Sequence, residues 1–244
     1  MAAISTDTWT ALGTIGLALV AFAALLVEPI RRWTRRPELT VGAISSERPN
    51  FLRIKANITA HVSLIGSSGD KEMNPSGLTT TFAYYIQLHI GNKRGRWQGW
   101  WQRDPAEDVE VYMESIKKLE DRQYVPYPLI LPQNLCWAYM EGAGEKAFYY
   151  PKIPAGSKRP CSLCGFSHVA SKESPPRVSL NTTIRMVSQE AHTITPGTYQ
   201  IEFTISAKNA KPINRFLWLE FSGEWYDDSE DMWGKGLSAT IHDT

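Results

Sequence analysis

An apolar run near the start of the chain constrains its fold more than any other feature. From Trp9 to Val27 the sequence WTALGTIGLALVAFAALLV contains no charged residue. A helix of this length matches the thickness of a bilayer core, and a helix satisfies its backbone polar groups internally. The sequence therefore predicts a transmembrane helix over residues 9–30 and a single-pass membrane protein.

The flanks of this run distinguish an uncleaved anchor from a secretory signal peptide. A signal peptide has a basic segment before the apolar run, whereas MAAISTDT contains Asp7 and neither Lys nor Arg. The positive charge follows the run instead, as four arginines: Arg31, Arg32, Arg35 and Arg36. Because Lys and Arg beside a membrane span stay in the cytoplasm, we expect a cytoplasmic C-terminal domain anchored in the cell inner membrane.

The chain after the anchor has the length of one ordinary domain. We divide the sequence into an N-terminal tail (1–8), the transmembrane helix (9–30), a basic juxtamembrane linker (31–37) and a β-sandwich domain (38–244). Trp9 and Trp33 suit the two membrane interfaces. With 26 basic and 25 acidic residues the net charge is only +1, so the chain lacks the broad basic field that phosphate binding uses. We therefore expect the lipid bilayer as a partner, and no nucleic acid.

Most of the domain has the sequence pattern of short β-strands. Seven runs are rich in β-branched and aromatic residues and alternate in polarity over much of their length: 38–44, 51–65, 82–90, 108–116, 135–140, 198–207 and 215–225. In one of them, Tyr199, Ile201, Phe203 and Ile205 share a face, which predicts burial of that face. Within residues 107–122 a helix competes with a strand, since ESIKKLEDR favours helix. The pattern is typical of a sandwich or a barrel.

Four segments of the domain resemble bacterial immunoglobulin-like domains of the adhesion and CARDB type: AYYIQLHIGN, PAEDVEVYMESI, PAGS and TPGTYQIEFTIS. In those domains a strand ends in Asn, an Ala-x-x-Val-x-Val strand follows a turn, and a proline–glycine turn precedes a late strand. The anchor also resembles the N-terminus of bacterial single-pass proteins in which such a domain follows directly. The resemblance implies a mainly β fold, an immunoglobulin-like antiparallel β-sandwich after the helix, and a binding or scaffolding role.

One segment departs from that pattern, because GNKRGRWQGWWQRDP stands where a short turn is expected. Six of its residues form a candidate binding site: Arg94, Arg96, Trp97, Trp100, Trp101 and Arg103. Such a loop can bind lipid headgroups, stack on nucleotide bases or contribute to a protein interface. Alternatively, the indoles fold back onto the end of the sandwich and the arginines are solvated. Exposed indoles are costly without a partner, so we expect contact with a protein or with the membrane surface.

The segment PCSLCGFSH contains a possible half of a zinc knuckle, formed by Cys161, Cys164 and His168. A structural zinc site needs four ligands, and only Cys136 or a distant histidine such as His192 is left to complete it. A redox role would require a helix N-terminus, whereas the neighbouring proline and glycine indicate a turn or a strand. Small buried cysteines on a β-strand are the simpler expectation.

The sequence contains no motif of a common catalytic site. A nucleophile elbow, an H-E-x-x-H motif, a Walker loop and a dinucleotide-binding G-x-G-x-x-G are all missing. The acidic run Asp227–Asp231 lacks the alternating ligand spacing of an EF-hand, so we expect a solvated loop there. We predict a non-catalytic protein without a cofactor.

Two classes of function are consistent with these features. The first is a membrane-anchored binding or scaffolding subunit that contacts a larger membrane protein complex through its β-sandwich and its Trp/Arg-rich loop. The alternative is a membrane-tethered signalling or defence effector, in which the sandwich senses a small ligand and the helix oligomerises. Thr14, Ala18 and Ala21 share one helix face and would permit close helix packing.

Overall fold

The computed structural model describes residues 6–45, 50–58, 79–95, 102–127, 132–138, 149–167, 176–182 and 193–243. Its first element is the helix α1, Thr6–Arg35, and the stretch Gly13–Arg35 is long and apolar enough to cross a membrane. Large apolar side chains of this stretch, such as Leu17 and Leu25, are each 74% exposed. The predicted apolar helix is confirmed. It continues past the predicted span into the predicted linker, through residues 31–35, because arginine is a good helix former.

Within these described ranges, thirteen strands follow the helix. They are β1 (Leu39–Val41), β2 (Phe51–Ile58), β3 (Thr79–Asn92), β4 (Ala106–Glu120), β5 (Gln123–Pro126), β6 (Gln133–Asn134), β7 (Tyr149–Ile153), β8 (Lys158–Ser167), β9 (Arg177–Leu180), β10 (Thr193–Ile194), β11 (Gly197–Ser206), β12 (Ile213–Phe221) and β13 (Leu237–Asp243). A short helix, α2 (Ser229–Asp231), and a π-helical turn (Met232–Gly236) precede β13.

The strands form two antiparallel sheets. The first has the order β1-β3-β8-β9-β10, and β2 pairs with the beginning of β3 while β1 pairs with its end. The second has the order β13-β12-β11-β4, and β5, β6 and β7 pair with successive parts of β4. The expectation of a mainly β, antiparallel domain is confirmed.

The two sheets share one hydrophobic core. Phe166 of the first sheet contacts Phe221 of the second, with ring centroids 5.1 Å apart. The predicted inner face of β11 is buried as expected, since four of its side chains are fully covered: Tyr199, Ile201, Phe203 and Ile205. Alternation along a strand therefore identified the core face correctly.

The strand pairing settles the competition between helix and strand in residues 107–122. β4 extends to Glu120, and a two-residue turn at Asp121 and Arg122, both with positive φ, leads into β5. β4 buries Val109, Val111 and other apolar residues in the core. The free energy of this burial outweighs the local preference of the segment for helix. The sequence pattern did not reveal the short strands β5, β6, β7, β9 and β10, nor β13, and it indicated β8 only at its two cysteines.

Several strands begin or end on the side of the domain from which α1 extends. Leu39 pairs with Asn92, and Ala106 pairs with Ile153. The beginnings of β1 and β4 and the ends of β3 and β7 therefore lie together. We call this side of the domain the proximal end.

Candidate functional site

The loop between β3 and β4, residues 93–105, begins and ends beside the C-terminus of α1. At its start, the Lys93 N–H donates to the Glu38 carbonyl at 2.8 Å. At its end, the Asp104 N–H donates to the Arg35 carbonyl at 2.7 Å. We call this segment the proximal loop, and residues 36–38 the neck. One end of the proximal loop is thus bonded to the neck, and the other to the last residue of α1.

Charged side chains extend the contact between the proximal loop and the neck. The Glu38 carboxylate accepts hydrogen bonds from Lys93 Nζ, at 2.9 Å, and from Arg103. Arg103 also donates to the Arg36 carbonyl at 2.9 Å, and its side chain is only 23% exposed. Ion pairs this accessible to solvent contribute little to stability. They add side-chain contacts to the backbone bonds between the neck and the loop.

Asn92, the last residue of β3, is the buried centre of this junction and is 1% exposed. Its Nδ2 donates to the carbonyls of Asp104 and Ile153, at 2.9 and 3.2 Å, and its Oδ1 accepts from the Glu38 N–H at 3.2 Å. Its own carbonyl accepts from the Gly156 N–H at 2.7 Å. One amide therefore joins the neck, the proximal loop and the end of β7.

A second asparagine holds the beginning of β4. Asn209 Nδ2 donates to the Pro105 carbonyl at 2.9 Å, and its Oδ1 accepts from the Glu107 N–H at 3.0 Å. The amide thus supplies partners to backbone groups next to Asp108, whose φ is +49°. Buried backbone groups need such partners, so Asn209 supports the loop where it enters the sheet.

The predicted binding residues of this loop divide into two groups. Arg94 is exposed and lies over the turn at Gly156, where an added Cβ would come within 3.1 Å of its Nε. Arg103 is not simply solvated, because it bonds to the neck. The remaining four residues lie outside the described residues: Arg96, Trp97, Trp100 and Trp101.

The flanking arginines lie on the last turns of α1 and on the neck. Arg31 and Arg36 are exposed, Arg35 is half-buried, and Arg32 lies in the helix with its side chain outside the description. Trp33 is 79% exposed. An exposed indole next to exposed guanidinium groups is the composition expected at the end of a membrane span.

Cys161 and Cys164 lie on β8 and are fully buried in the core. Burial raises the pKa of the Cys161 thiol, and it raises that of Cys164 to about 12. Both side chains therefore pack as small residues of the core. His168 lies outside the described residues, and among the described residues no three His, Cys, Asp or Glu side chains are grouped to hold a metal ion.

The acidic run makes local contacts at the opposite end of the domain. Asp228 caps α2, since its Oδ1 accepts from the backbone N–H groups of Glu230 and Asp231, at 2.9 and 3.1 Å. These two hydrogen bonds lower the pKa of Asp228. Asp231 pairs with Lys235 at 2.8 Å. The run is exposed over residues 227–230 and contains the short helix α2 with its cap.

Sequence reasoning missed the residues that build the junction, namely Glu38, Asn92, Asp104 and Asn209. The sequence offered one indication of the junction, which was the Asn at the end of a predicted strand.

Comparison of the chain with protein-family profiles, with curated protein sequences and with solved structures finds no match.

Proposed function

We propose that this protein is a membrane-anchored, non-catalytic binding or scaffolding subunit that contacts a larger membrane protein complex. The observation that carries the proposal is the attachment of the proximal loop to the neck. Lys93 and Asp104, at the two ends of the loop, bond to Glu38 and Arg35. The Trp/Arg-rich loop and the apolar helix therefore belong to the same end of the molecule.

Covalent geometry supports the assignment of the three tryptophans to the membrane side. Only six residues separate Gly95 from Gln102, and each residue spans at most about 3.6 Å. The proposal places Trp97, Trp100 and Trp101 at the level where α1 meets the domain. At that level they could contact both lipid headgroups and a partner that lies in the membrane, since indoles favour both environments.

The immunoglobulin-like assignment and the orientation are parts of the same proposal. The two antiparallel sheets with a common core are consistent with a sandwich of that type. The arginines on the C-terminal flank of the span support a cytoplasmic domain at the inner membrane. A domain held in this way would meet the cytoplasmic parts of neighbouring membrane proteins.

Two measurements on the full chain test the proposal. Extraction of membranes with alkaline carbonate should leave the chain in the membrane pellet, and its release into the supernatant would contradict the anchor. Purification of the tagged chain in mild detergent should recover a larger membrane protein at fixed stoichiometry. Self-association that depends on an added small ligand, with no such partner, would instead support the effector alternative.

A further inference from the structure

A groove of about 500 Å³ runs between the C-terminal part of α1 and the proximal end of the domain. Six residues line it: Pro29, Trp33, Arg36, Pro37, Asp104 and Asn209. Pro29 and Trp33 are four residues apart and so lie on one side of the helix. The groove thus has one helical wall, one wall from the domain, and a floor at the neck.

Some of these residues are engaged in the junction and others are available to a ligand. The amide of Asn209 is occupied by Pro105 and Glu107. Arg36 and Asp104 use their backbone groups in the junction. Within the described ranges, neither the Arg36 guanidinium nor the Asp104 carboxylate has a hydrogen-bond or ion-pair partner, and both residues are exposed. Among the residues that the structure describes, the groove therefore presents an unpaired cation, an unpaired anion and the exposed indole of Trp33.

We propose that this groove binds the headgroup of one phospholipid that carries a primary ammonium group, of the phosphoethanolamine type. Arg36 binds the phosphate through charge-assisted hydrogen bonds, and the Asp104 carboxylate accepts from the ammonium group. The indole of Trp33 lies against the glycerol region, an environment that indoles favour. The inference rests on the proposed membrane anchoring, because the groove adjoins the end of the apolar stretch Gly13–Arg35.

Charge complementarity selects this headgroup over the common alternatives. A phosphoglycerol headgroup has a phosphate that Arg36 can bind. It offers the Asp104 carboxylate neutral hydroxyl groups and a repulsive negative charge, but no cation. A phosphocholine headgroup has both charges, but its quaternary ammonium cannot donate a hydrogen bond. The arginines around the helix attract every anionic lipid without discrimination. Asp104 is thus the residue that determines headgroup preference.

The test uses the full chain in mixed micelles that contain equal amounts of phosphatidylethanolamine, phosphatidylcholine and phosphatidylglycerol with identical acyl chains. Native mass spectrometry counts the lipids retained. The wild type should retain one phosphatidylethanolamine with a preference of about tenfold, the size of one charge-assisted hydrogen bond. Asp104→Asn should remove most of the preference, and Arg36→Gln should lower retention of all three lipids several-fold.

Two matched control variants each remove one charge outside the groove, a carboxylate in one and a guanidinium in the other. Asp121→Asn changes an exposed carboxylate in the turn between β4 and β5, and Arg31→Gln changes an exposed arginine of α1 that does not line the groove. Both should keep the wild-type preference. Because the contacts of Asp104 with the described part of the junction are made by its backbone N–H and carbonyl, Asp104→Asn should also keep the melting midpoint.

Two results would overturn the proposal: equal headgroup preference in the wild type and Asp104→Asn, or a wild-type preference for phosphatidylglycerol. Carbonate extraction of membranes from the cells that express the same variants separates this failure from failure of the proposed function. A chain that stays in the membrane without headgroup preference refutes the groove alone, whereas a chain that is extracted refutes the anchor.

Discussion

At the scale of single residues, Asn92 should contribute most to the junction. Asn92→Ala removes the partners of three backbone groups, those of Glu38, Asp104 and Ile153. A buried polar group without a partner costs about 1–3 kcal/mol. We expect the variant to lose at least that much free energy of unfolding, measured by chemical unfolding of the full chain in detergent with fluorescence detection.

The control for this prediction is Asn214→Ala. Asn214 is exposed on β12, where its Oδ1 accepts from Thr204 at 2.9 Å. Exposed substitutions usually change stability by less than about 0.5 kcal/mol. Equal effects of the two substitutions would show that Asn92 is not the centre of the junction.

Asp228 makes a residue-scale prediction about pH. Its pKa is lowered from the usual 3.8 by hydrogen bonds from the backbone N–H groups of Asp231 and Glu230. A carboxylate with a lowered folded-state pKa stabilises the fold above its unfolded-state pKa, and this contribution is lost as pH falls through the folded-state value. As the pH is lowered from 5, the melting midpoint of Asp228→Asn should therefore fall less than that of the wild type. Calorimetry of the isolated domain measures both midpoints.

A second substitution separates the charge of Asp228 from its capping role. Asn keeps an oxygen acceptor for the cap, whereas Asp228→Ala removes it and should lower the midpoint at every pH. An unchanged pH profile in Asp228→Asn would show that this carboxylate does not contribute to the acid sensitivity of the domain.

At the scale of elements, the proximal loop makes the clearest prediction. If Trp97, Trp100 and Trp101 form a contact surface, their joint replacement by Ser should leave the melting midpoint of the isolated domain nearly unchanged. Association with the native complex or with bilayers should weaken, because a hot-spot indole contributes when a partner covers it. Differential scanning fluorimetry and vesicle sedimentation measure the two quantities.

The opposite outcome for the loop has an equally clear signature. A core indole reduced to a small side chain costs about 3–5 kcal/mol. A large drop in the midpoint with unchanged association would assign the three indoles to the core, and the binding role of the loop would be abandoned.

At the scale of the whole molecule, the domain should fold without its anchor. Among the residues whose side chains the structure describes, the core cluster begins at Leu39 and contains none from α1. Removal of residues 1–36 loses the backbone bonds at Arg35 and Arg36, but keeps Glu38 and the sheets. We expect a soluble fragment with a cooperative thermal transition and a circular dichroism spectrum dominated by strands. A helical spectrum, or no transition, would contradict this expectation.

The orientation of the whole molecule can be tested by cysteine labelling in intact cells. Cys161 and Cys164 are buried, so Cys136→Ser removes the one half-buried thiol that could react. In that background Thr240→Cys, at an exposed position of β13, should react with an impermeant maleimide only after permeabilisation. Ser5→Cys in the N-terminal tail should react in intact cells. The reverse pattern would place the domain outside.

The sequence by itself determined the features that depend on local patterns. The length of an apolar run decides whether a helix can span a bilayer, and this identified α1. Alternation of apolar and polar residues decides which face of a strand is buried, and this identified the core face of β11. The cysteines of β8 were likewise expected on a buried strand.

Only the tertiary structure decided how the domain is joined to its helix. Asn92 and Glu38 are 54 residues apart in the chain, and no local pattern indicates that a strand-end amide bonds to the neck. The same is true of the groove, since Trp33 and Asp104 lie on separate elements that the junction brings together. Such contacts depend on the geometry of paired strands and on the hydrogen-bond requirements of buried backbone groups. Those requirements are met only after the whole chain has folded.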